Sequence, residues 1–146
     1  MSLFPSFIYI ATDLFRAIKG KPPLDLAGWI AVLDLSTKWV FDEIRKFAIE
    51  QIDTFTQPPM DRIELAFKCQ VGKWLTPAYI QLCTRVASIS RDEAERLGFA
   101  KYYVLSQVRE ENRVRTASSF AYTHTMDVQT TEKAILTYTE LANPFN

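Results

Sequence analysis

The residues of this chain that could do chemistry are few and widely spaced. His124 is the only histidine, and Cys69 and Cys83 are the only cysteines. A cysteine can act as a nucleophile when a histidine activates it, but nothing in the sequence around either cysteine supports such a pair. Structural zinc sites need several cysteine or histidine ligands at close spacing. We therefore predict two buried, unreactive cysteines and no metal site.

A group of carboxylates follows Ser90 in the sequence. Asp92, Glu93 and Glu95 have the chemistry of a general acid–base site. They also fall in the first turn of a predicted helix, where the helix dipole stabilises negative charge. Ser90 and Glu93 have the spacing of a capping box, in which each side chain accepts a hydrogen bond from the other residue's backbone N–H. We therefore expect a structural role for these carboxylates.

The basic residues show no pattern of nucleic-acid or nucleotide binding. Lys+Arg and Asp+Glu both number 17, so the formal net charge is zero, whereas nucleic-acid-binding modules normally carry a basic excess. Arg109, Arg113 and Arg115 lie close together, but Glu110 and Glu111 interleave with them and favour a mixed surface. The four glycines form no phosphate-binding loop. We expect no enzyme activity, no cofactor and no nucleic-acid partner.

The elements that must position these residues are predicted to be helices. The chain has 146 residues and is 48% hydrophobic, which suits one compact core. Apolar residues recur at three- and four-residue intervals, so the sequence predicts an all-α bundle of about seven helices. Their inward faces are Phe7, Ala11, Leu14, Phe15, Ile18; Trp29, Val32, Leu33; Phe41, Ile44, Ala48, Ile52; Met60, Ile63, Phe67, Val71; Tyr79, Leu82, Cys83, Val86; Ala100, Val104, Leu105, Val108; and Ile135, Tyr138, Leu141.

Helix boundaries follow from capping residues. Ser36 or Thr37 can cap the helix through Ile44, and Thr76-Pro77 has the pattern of a cap followed by proline at the first helical position. Gly98 is expected to end a short helix that begins after Ser90, and a longer helix is expected over 100–113. The alternation near 118–128 permits a short strand or a loop, and a last helix is predicted over 130–142.

Side-chain roles follow from the helix positions. The three tryptophans, Trp29, Trp39 and Trp74, lie beside leucine and valine at helical spacing, which favours core positions. Acid-before-base pairs four residues apart favour ion pairs on solvated helix faces. These pairs are Asp42–Lys46, Glu64–Lys68 and Asp92–Arg96.

The domain organisation is predicted as a helical region over 1–115 and an appendage with one helix over 116–146. The first region comprises an N-terminal amphipathic helix over 1–20 and a bundle over 24–113. No run of apolar residues is long enough to span a membrane, and Met1–Ile10 lacks the features of a signal peptide. With only two cysteines, we expect an intracellular protein, cytoplasmic or nuclear.

Four blocks of spaced residues occur in order between positions 29 and 111. They are Trp29-x2-Val32-Leu33-x-Leu35-Ser36-Thr37-Lys38-Trp39-x-Phe41-x3-Arg45-x2-Ala48-Ile49; Asp61-Arg62-Ile63-x-Leu65-Ala66; Trp74-Leu75-x-Pro77-Ala78-Tyr79-x2-Leu82-Cys83-x-Arg85; and Ser88-Ile89-Ser90-x2-Glu93-Ala94-x2-Leu97-Gly98, followed by Arg109-Glu110. This pattern resembles the helical region that follows the BTB/POZ domain in a large group of fungal BTB-domain proteins, similar in position to BACK-type extensions.

The resemblance implies a non-catalytic, all-helical region that packs behind a BTB fold. In such proteins the BTB part mediates dimerisation or partner binding, in some families to cullin-3 ubiquitin ligases or transcriptional corepressors. Only the predicted helix over Phe4 to Lys19 precedes Trp29 here, without the α/β BTB body, and this helix is either a remnant of the BTB C-terminal end or a replacement for it. BTB-type dimerisation and cullin-3 or corepressor binding are therefore not expected of this chain.

Two classes of function are compatible with the sequence. The first is a protein–protein interaction or adaptor module that docks on a partner, or on itself, through Phe7, Leu14, Phe15 and Ile18. The alternative is a ligand-binding or enzymatic bundle with an aromatic-walled cavity. That cavity would use Trp29, Trp39, Trp74 and Tyr79, with Arg45 or Arg85 as its polar anchor. A weaker third hypothesis is attachment of residues 3–18 to a membrane surface.

Overall fold

The structure is a computed structural model that describes residues 24–118 (side chains to 114), 128–138, 141–142 and 144–145. The predicted helix over 1–20, with its docking candidates, lies outside these residues, and so does His124. Within the described ranges the chain forms α-helices, one 3-10 turn and no strand. The prediction of an all-α, multi-helix protein is confirmed.

The helices fall into two compact units, residues 1–56 and 57–146. In the first unit, the described helices are α1 (Leu26–Lys38) and α2 (Asp42–Asp53). In the second unit, they are α3 (Pro59–Cys69), a 3-10 turn (Gly72–Trp74), α4 (Leu75–Thr84), α5 (Arg91–Leu97), α6 (Phe99–Ser118) and α7 (Val128–Thr137).

The first unit contains a hairpin of α1 against α2. Asp25 caps α1 by accepting a hydrogen bond from the Gly28 N–H at 2.8 Å. The buried Trp29 packs edge-on against Phe47, with ring centroids 5.5 Å apart. The predicted inward residues of α2 that are buried are Ile44, Ala48 and Ile52.

The predicted caps Ser36 and Thr37 are wrong, because both residues lie inside α1. Their hydroxyls donate to the Leu33 carbonyl at 3.0 and 2.7 Å. Such back-bonding satisfies the hydroxyl within the helix, so the helix continues past it. The helix α2 begins only at Asp42, and its N-cap Phe41 makes no side-chain capping bond.

The turn between α1 and α2 exposes apolar side chains. Trp39 is 54% exposed, so the prediction of a core position holds for Trp29 and Trp74 but is wrong for Trp39. Val40 is 74% exposed and has a φ of 58°. The Phe41 N–H donates to the Ser36 carbonyl at 2.9 Å, which closes the turn around Val40. Val40 therefore occupies the left-handed position that usually belongs to glycine.

We expect Val40→Gly to stabilise the first unit by about 0.5–1 kcal/mol, because a β-branched residue is strained in the left-handed region and glycine is not. The free energy of unfolding from urea titration, followed by tryptophan fluorescence, measures the change. Leu35→Gly is the matched control, since Leu35 is exposed on ordinary helical backbone in α1, and we expect it to lose about 1 kcal/mol. If both glycine variants lose stability alike, the strain at Val40 is negligible.

The core of the second unit forms around α4, which packs against α3, the 3-10 turn, α6 and α7. The predicted inward residues Tyr79, Leu82 and Cys83 are fully buried. Both cysteines are buried, as predicted, and neither is in a disulfide. The helix predicted over 130–142 is thus part of this unit, as α7. A buried hydrogen bond of 2.9 Å joins it to α6, from Asn112 Nδ2 to Thr131 Oγ1.

The start and end of α4 differ from the prediction. A 3-10 turn precedes the helix, which begins at Leu75, so Thr76 and Pro77 lie inside its first turn and Thr76 is not the cap. Proline is tolerated there because first-turn N–H groups have no helical partner. The helix ends at Thr84, and Val86 is consequently 93% exposed rather than inward.

Two other predicted inward residues are also outside the core. Phe67 is 36% exposed at the edge of α3, where its ring meets that of Phe145 at 5.8 Å. Ala100 is exposed in the first turn of α6, which begins at Phe99, whereas the other predicted inward residues of this helix, Val104, Leu105 and Val108, are buried. The helix α6 is longer than predicted, and α7 begins earlier and ends earlier than predicted.

Candidate functional site

Polar contacts in the second unit concentrate on residues 85–90, the segment between α4 and α5. The last carbonyls of any helix lack helical partners and need donors from elsewhere. Here Arg109 on α6 donates to one of them, the Leu82 carbonyl, and Arg85 donates to a carbonyl of the segment itself. We call Arg85, Glu93 and Arg109 the arginine anchor.

Arg85 holds the segment from within. Its guanidinium forms a two-pronged ion pair with Glu93, with a 2.8 Å bond from Nη1 to Oε1 and a second from Nη2 to Oε2. It also donates to the carbonyls of Ala87 and Ser88 at 3.2 and 3.0 Å. This fork geometry is the strongest form of an arginine–carboxylate pair.

Glu93 also completes the predicted capping box. Its carboxylate accepts from the Ser90 N–H at 2.8 Å, and the Ser90 hydroxyl accepts from the Glu93 N–H at 3.2 Å. The capping-box prediction is confirmed, and Gly98, with a φ of 79°, ends α5 as expected. Arg85, and secondarily Ser90, lower the pKa of Glu93 to about 2. Glu93 therefore stays ionised well below neutral pH.

Arg109 holds the segment from α6. It is only 5% exposed, and its guanidinium donates to the carbonyls of Leu82 and Ala87, the latter at 2.9 Å. Burial lowers the pKa of Arg109 from its ordinary value, and the charge of Arg113 lowers it further. The predicted mixed surface is wrong for Arg109, because this residue lies next to Leu105 and Val108 on the inward face of α6.

Cys83 lies beside the anchor but has no nucleophilic character. Its Sγ contacts the Leu105 carbonyl at 3.9 Å in the core. Burial raises the pKa of the thiol to about 11, and the nearby charge of Arg109 opposes this only in part. The thiol is therefore protonated at neutral pH, and a protonated buried thiol is unreactive.

A second ionic cluster joins α5 to α3. Arg96 Nη2 contacts Asp61 at 2.7 Å, and Arg96 Nε contacts Glu64 at 2.7 Å. Arg96 lowers the pKa of Glu64. The predicted pairs Glu64–Lys68 and Asp92–Arg96 are thus replaced by contacts between helices. The predicted Asp42–Lys46 pair is also replaced, since Lys46 contacts Glu43 at 3.2 Å.

The aromatic residues proposed for a cavity are distributed over both units. Trp74 is 4% exposed and lies under the Arg62 guanidinium, 4.9 Å from the ring. Tyr79 is fully buried, and its hydroxyl has no hydrogen-bond partner within the described residues. Burial raises the pKa of this phenol to about 12. Arg85, one of the two proposed polar anchors, is bound to Glu93 instead of facing a cavity.

The outward side of α6 carries a continuous exposed stripe. We call Phe99, Tyr103, Gln107, Glu110 and Val114 the α6 outer face. The rings of Phe99 and Tyr103 stack with centroids 6.0 Å apart, although the residues are 80% and 52% exposed. Gln107 donates to the Tyr103 hydroxyl at 2.9 Å. Aromatic residues exposed together in this way are typical of interaction surfaces.

An open groove of about 410 Å³ lies along the C-terminal half of this face. Its described lining is Gln107, Glu110, Glu111 and Val114. Within the described residues, neither Glu110 nor Glu111 forms an ion pair. The groove is therefore apolar at one end and acidic along one side.

The described residues contain no group of three or more histidine, cysteine or acidic side chains placed to hold a metal ion. Among the helices of the same ranges, none is both long and apolar enough to cross a lipid bilayer. The fold and the anchor together define an all-α helical protein whose main polar cluster fixes the ends of its helices. Neither family models nor curated proteins nor solved structures gave a match to the chain.

Sequence reasoning found part of this arrangement. The capping box led to Ser90 and Glu93, but the partners Arg85 and Arg109 were not assigned to them. A signal for Arg109 was present, since it lies four residues after Leu105 and one after Val108, on the edge of the inward stripe. The α6 outer face has no such signal, because the spacing of apolar residues identifies the side of a helix that faces the core.

Proposed function

We propose that this protein is a non-catalytic protein–protein interaction module that serves as an adaptor. The observation that carries the proposal is the exposed, stacked pair of Phe99 and Tyr103 on α6. An aromatic pair in water forfeits the free energy that its burial would supply, about 25 cal/mol per Å² of apolar surface. A protein partner would recover that free energy.

The chemistry of the anchor supports the same proposal. Arg85, Glu93 and Arg109 make their contacts with helix ends and backbone carbonyls, so their charges stabilise the fold. Catalytic residues usually combine a perturbed pKa with a cleft that admits substrate. Glu93 and Cys83 have perturbed pKa values but are shifted toward inert states, one ionised and one protonated.

The proposal includes the relationship to the post-BTB helical region of fungal BTB proteins. Several residues of the quoted blocks, among them Arg85, Ser90, Glu93 and Arg109, meet in the arginine anchor. If this chain and the post-BTB helical region share a helical framework, both would retain the residues that hold this segment between helices. An intracellular location, cytoplasmic or nuclear, is part of the proposal, and the two free, buried thiols suit it.

A second docking surface is proposed from the sequence at Phe7, Leu14, Phe15 and Ile18. We expect the parent protein to self-associate at low-micromolar concentration and the Leu14→Asp, Phe15→Asp variant to be monomeric there, because two carboxylates interrupt the apolar stripe. Size-exclusion chromatography with light scattering gives the mass of each.

The variant's far-UV circular dichroism provides the control for folding. A folded, monomeric variant beside an associating parent supports docking through this segment. A monomeric parent together with an unfolded variant means that residues 14 and 15 belong to the core, and docking through this segment is then rejected.

A further inference from the structure

We propose that the α6 outer face binds a second copy of the same face, with the two α6 helices antiparallel. This inference rests on the proposed function and names one partner for it. Three features of the molecule support this pairing: the order of the residues along α6, the hydrogen bond within the face, and the groove beside it.

The intervals between the residues of the α6 outer face are nearly the same when they are counted from either end of the helix. From Phe99 to Val114 the intervals are four, four, three and four residues. Two copies that cross antiparallel between Ser106 and Gln107 therefore place Phe99 against the partner's Val114. The same register places Tyr103 against the partner's Glu110, and each Gln107 lies beside the two-fold axis. A two-fold interface requires this kind of self-complementarity.

The hydrogen bond between Gln107 and Tyr103 orients Tyr103 for a hydrogen bond with the partner's Glu110. The Gln107 amide donates to the Tyr103 hydroxyl oxygen at 2.9 Å, which leaves the phenolic proton available as a donor. Opposite it lies a carboxylate, the partner's Glu110, which can only accept. A hydrogen bond to an ionised acceptor is stronger than one between neutral groups.

The groove provides space for the contact between Phe99 of one copy and Val114 of the other. It lies on the Val114 half of the face, is open to solvent and has a volume of about 410 Å³. In the antiparallel register the stacked rings of one copy approach the groove of the other, twice per dimer. The zero net charge of the chain removes the long-range repulsion that would oppose the approach of two copies.

The pairing is expected to be weak. A single helix face buries less than the roughly 1,200 Å² of total surface that marks the lower limit of stable complexes. We therefore expect this dimerisation to become visible only at concentrations near millimolar. The sedimentation experiment below uses the Leu14→Asp, Phe15→Asp background, in which association through the N-terminal segment is removed.

Disulfide trapping between two single-cysteine variants tests the register. The native Cys69 and Cys83 are fully buried, so an introduced surface cysteine is the accessible thiol among the described residues. We expect a mixture of Phe99→Cys and Val114→Cys proteins to form mixed disulfides in at least about tenfold excess over disulfides between like copies. In the proposed pairing, like positions are separated by about 22 Å along the helix axis, too far for a disulfide.

Val86→Cys is the matched control, because Val86 is 93% exposed on the same unit but belongs to the segment between α4 and α5 and not to the α6 outer face. Its mixture with Phe99→Cys measures random collision. Mixed Phe99–Val114 disulfides at the level of this control, or no more frequent than like disulfides, overturn the antiparallel pairing. That outcome would not alter the comparison of the parent with the Leu14→Asp, Phe15→Asp variant, so the two proposals fail separately.

A charge substitution provides the equilibrium test. Tyr103→Glu places a carboxylate against the partner's Glu110, and we expect the dimer dissociation constant from sedimentation equilibrium to rise by at least about tenfold. Leu136→Glu adds the same charge on α7, where the side chain is 68% exposed, and should leave the constant nearly unchanged. An equal effect of both substitutions rejects the α6 outer face as the interface.

Discussion

Arg109→Met is expected to destabilise the second unit by about 3 kcal/mol. The carbonyls of Leu82 and Ala87 accept hydrogen bonds from this guanidinium in a buried site. Hydrogen bonds to a charged group contribute about 1.5–3 kcal/mol each, and a buried carbonyl left unpaired carries its full desolvation penalty. Methionine fills much of the volume and removes a buried charge, which offsets part of the loss.

Native-state hydrogen exchange of the α4 and α6 amides measures this change, because it reports the opening free energy of one unit without the other. Arg113→Met is the matched control. Arg113 lies one turn later on the same helix and is exposed, so we expect an effect within about 0.5 kcal/mol. Equal losses in the two variants would mean that Arg109 contributes only as a generic helix residue.

Glu93→Gln is expected to make the free energy of unfolding less dependent on pH at acid pH. The pKa of Glu93 lies near 2 in the folded chain, below its ordinary value of 4.5, chiefly because of Arg85. A carboxylate with a lowered folded pKa stabilises the fold fully above the ordinary pKa, and this stabilisation is lost as the pH falls toward the folded value. The wild-type protein should therefore lose stability between about pH 5 and pH 2 more steeply than the variant.

The same substitution should cost about 1–2 kcal/mol at neutral pH, because the amide cannot match the two-pronged charge-assisted pair. Urea unfolding at a series of pH values, followed by far-UV circular dichroism, gives both quantities. Glu95→Gln is the control, since Glu95 pairs with Arg91 at 3.0 Å on an open surface, where ion pairs contribute little. Parallel pH profiles for the wild type and Glu93→Gln would show that the anchor does not set the acid limit.

Local signals predicted much of the fold. Helical periodicity placed Ile44, Ala48 and Ile52 in the core, and the spacing of Ser90 and Glu93 defined the start of α5. These features depend on residues within one or two helical turns of each other, so they can be predicted from the spacing of residues in the sequence alone. The burial of Cys83 followed from the stripe of α4, and that of Cys69 from the general tendency of cysteines outside disulfides to be buried.

Features that depend on distant residues were not predictable in the same way. Arg85 and Arg109 are 24 positions apart, and only the packing of α6 against α4 brings both to the carbonyls of one segment. The end of α4 at Thr84 left Val86 in solvent although its spacing fitted the stripe. Trp39 resembles its buried counterparts in sequence, and its exposure results from the turn around Val40.

The position of the two thiols has a practical consequence. Both cysteines of the chain belong to the second unit, at the end of α3 and in the last turn of α4, and both are inaccessible to solvent. A thiol-specific reagent can therefore label the unmodified protein only when the second unit opens. The labelling rate, followed by mass spectrometry, therefore measures how often the second unit opens. Unfolding that is confined to the first unit leaves this rate unchanged.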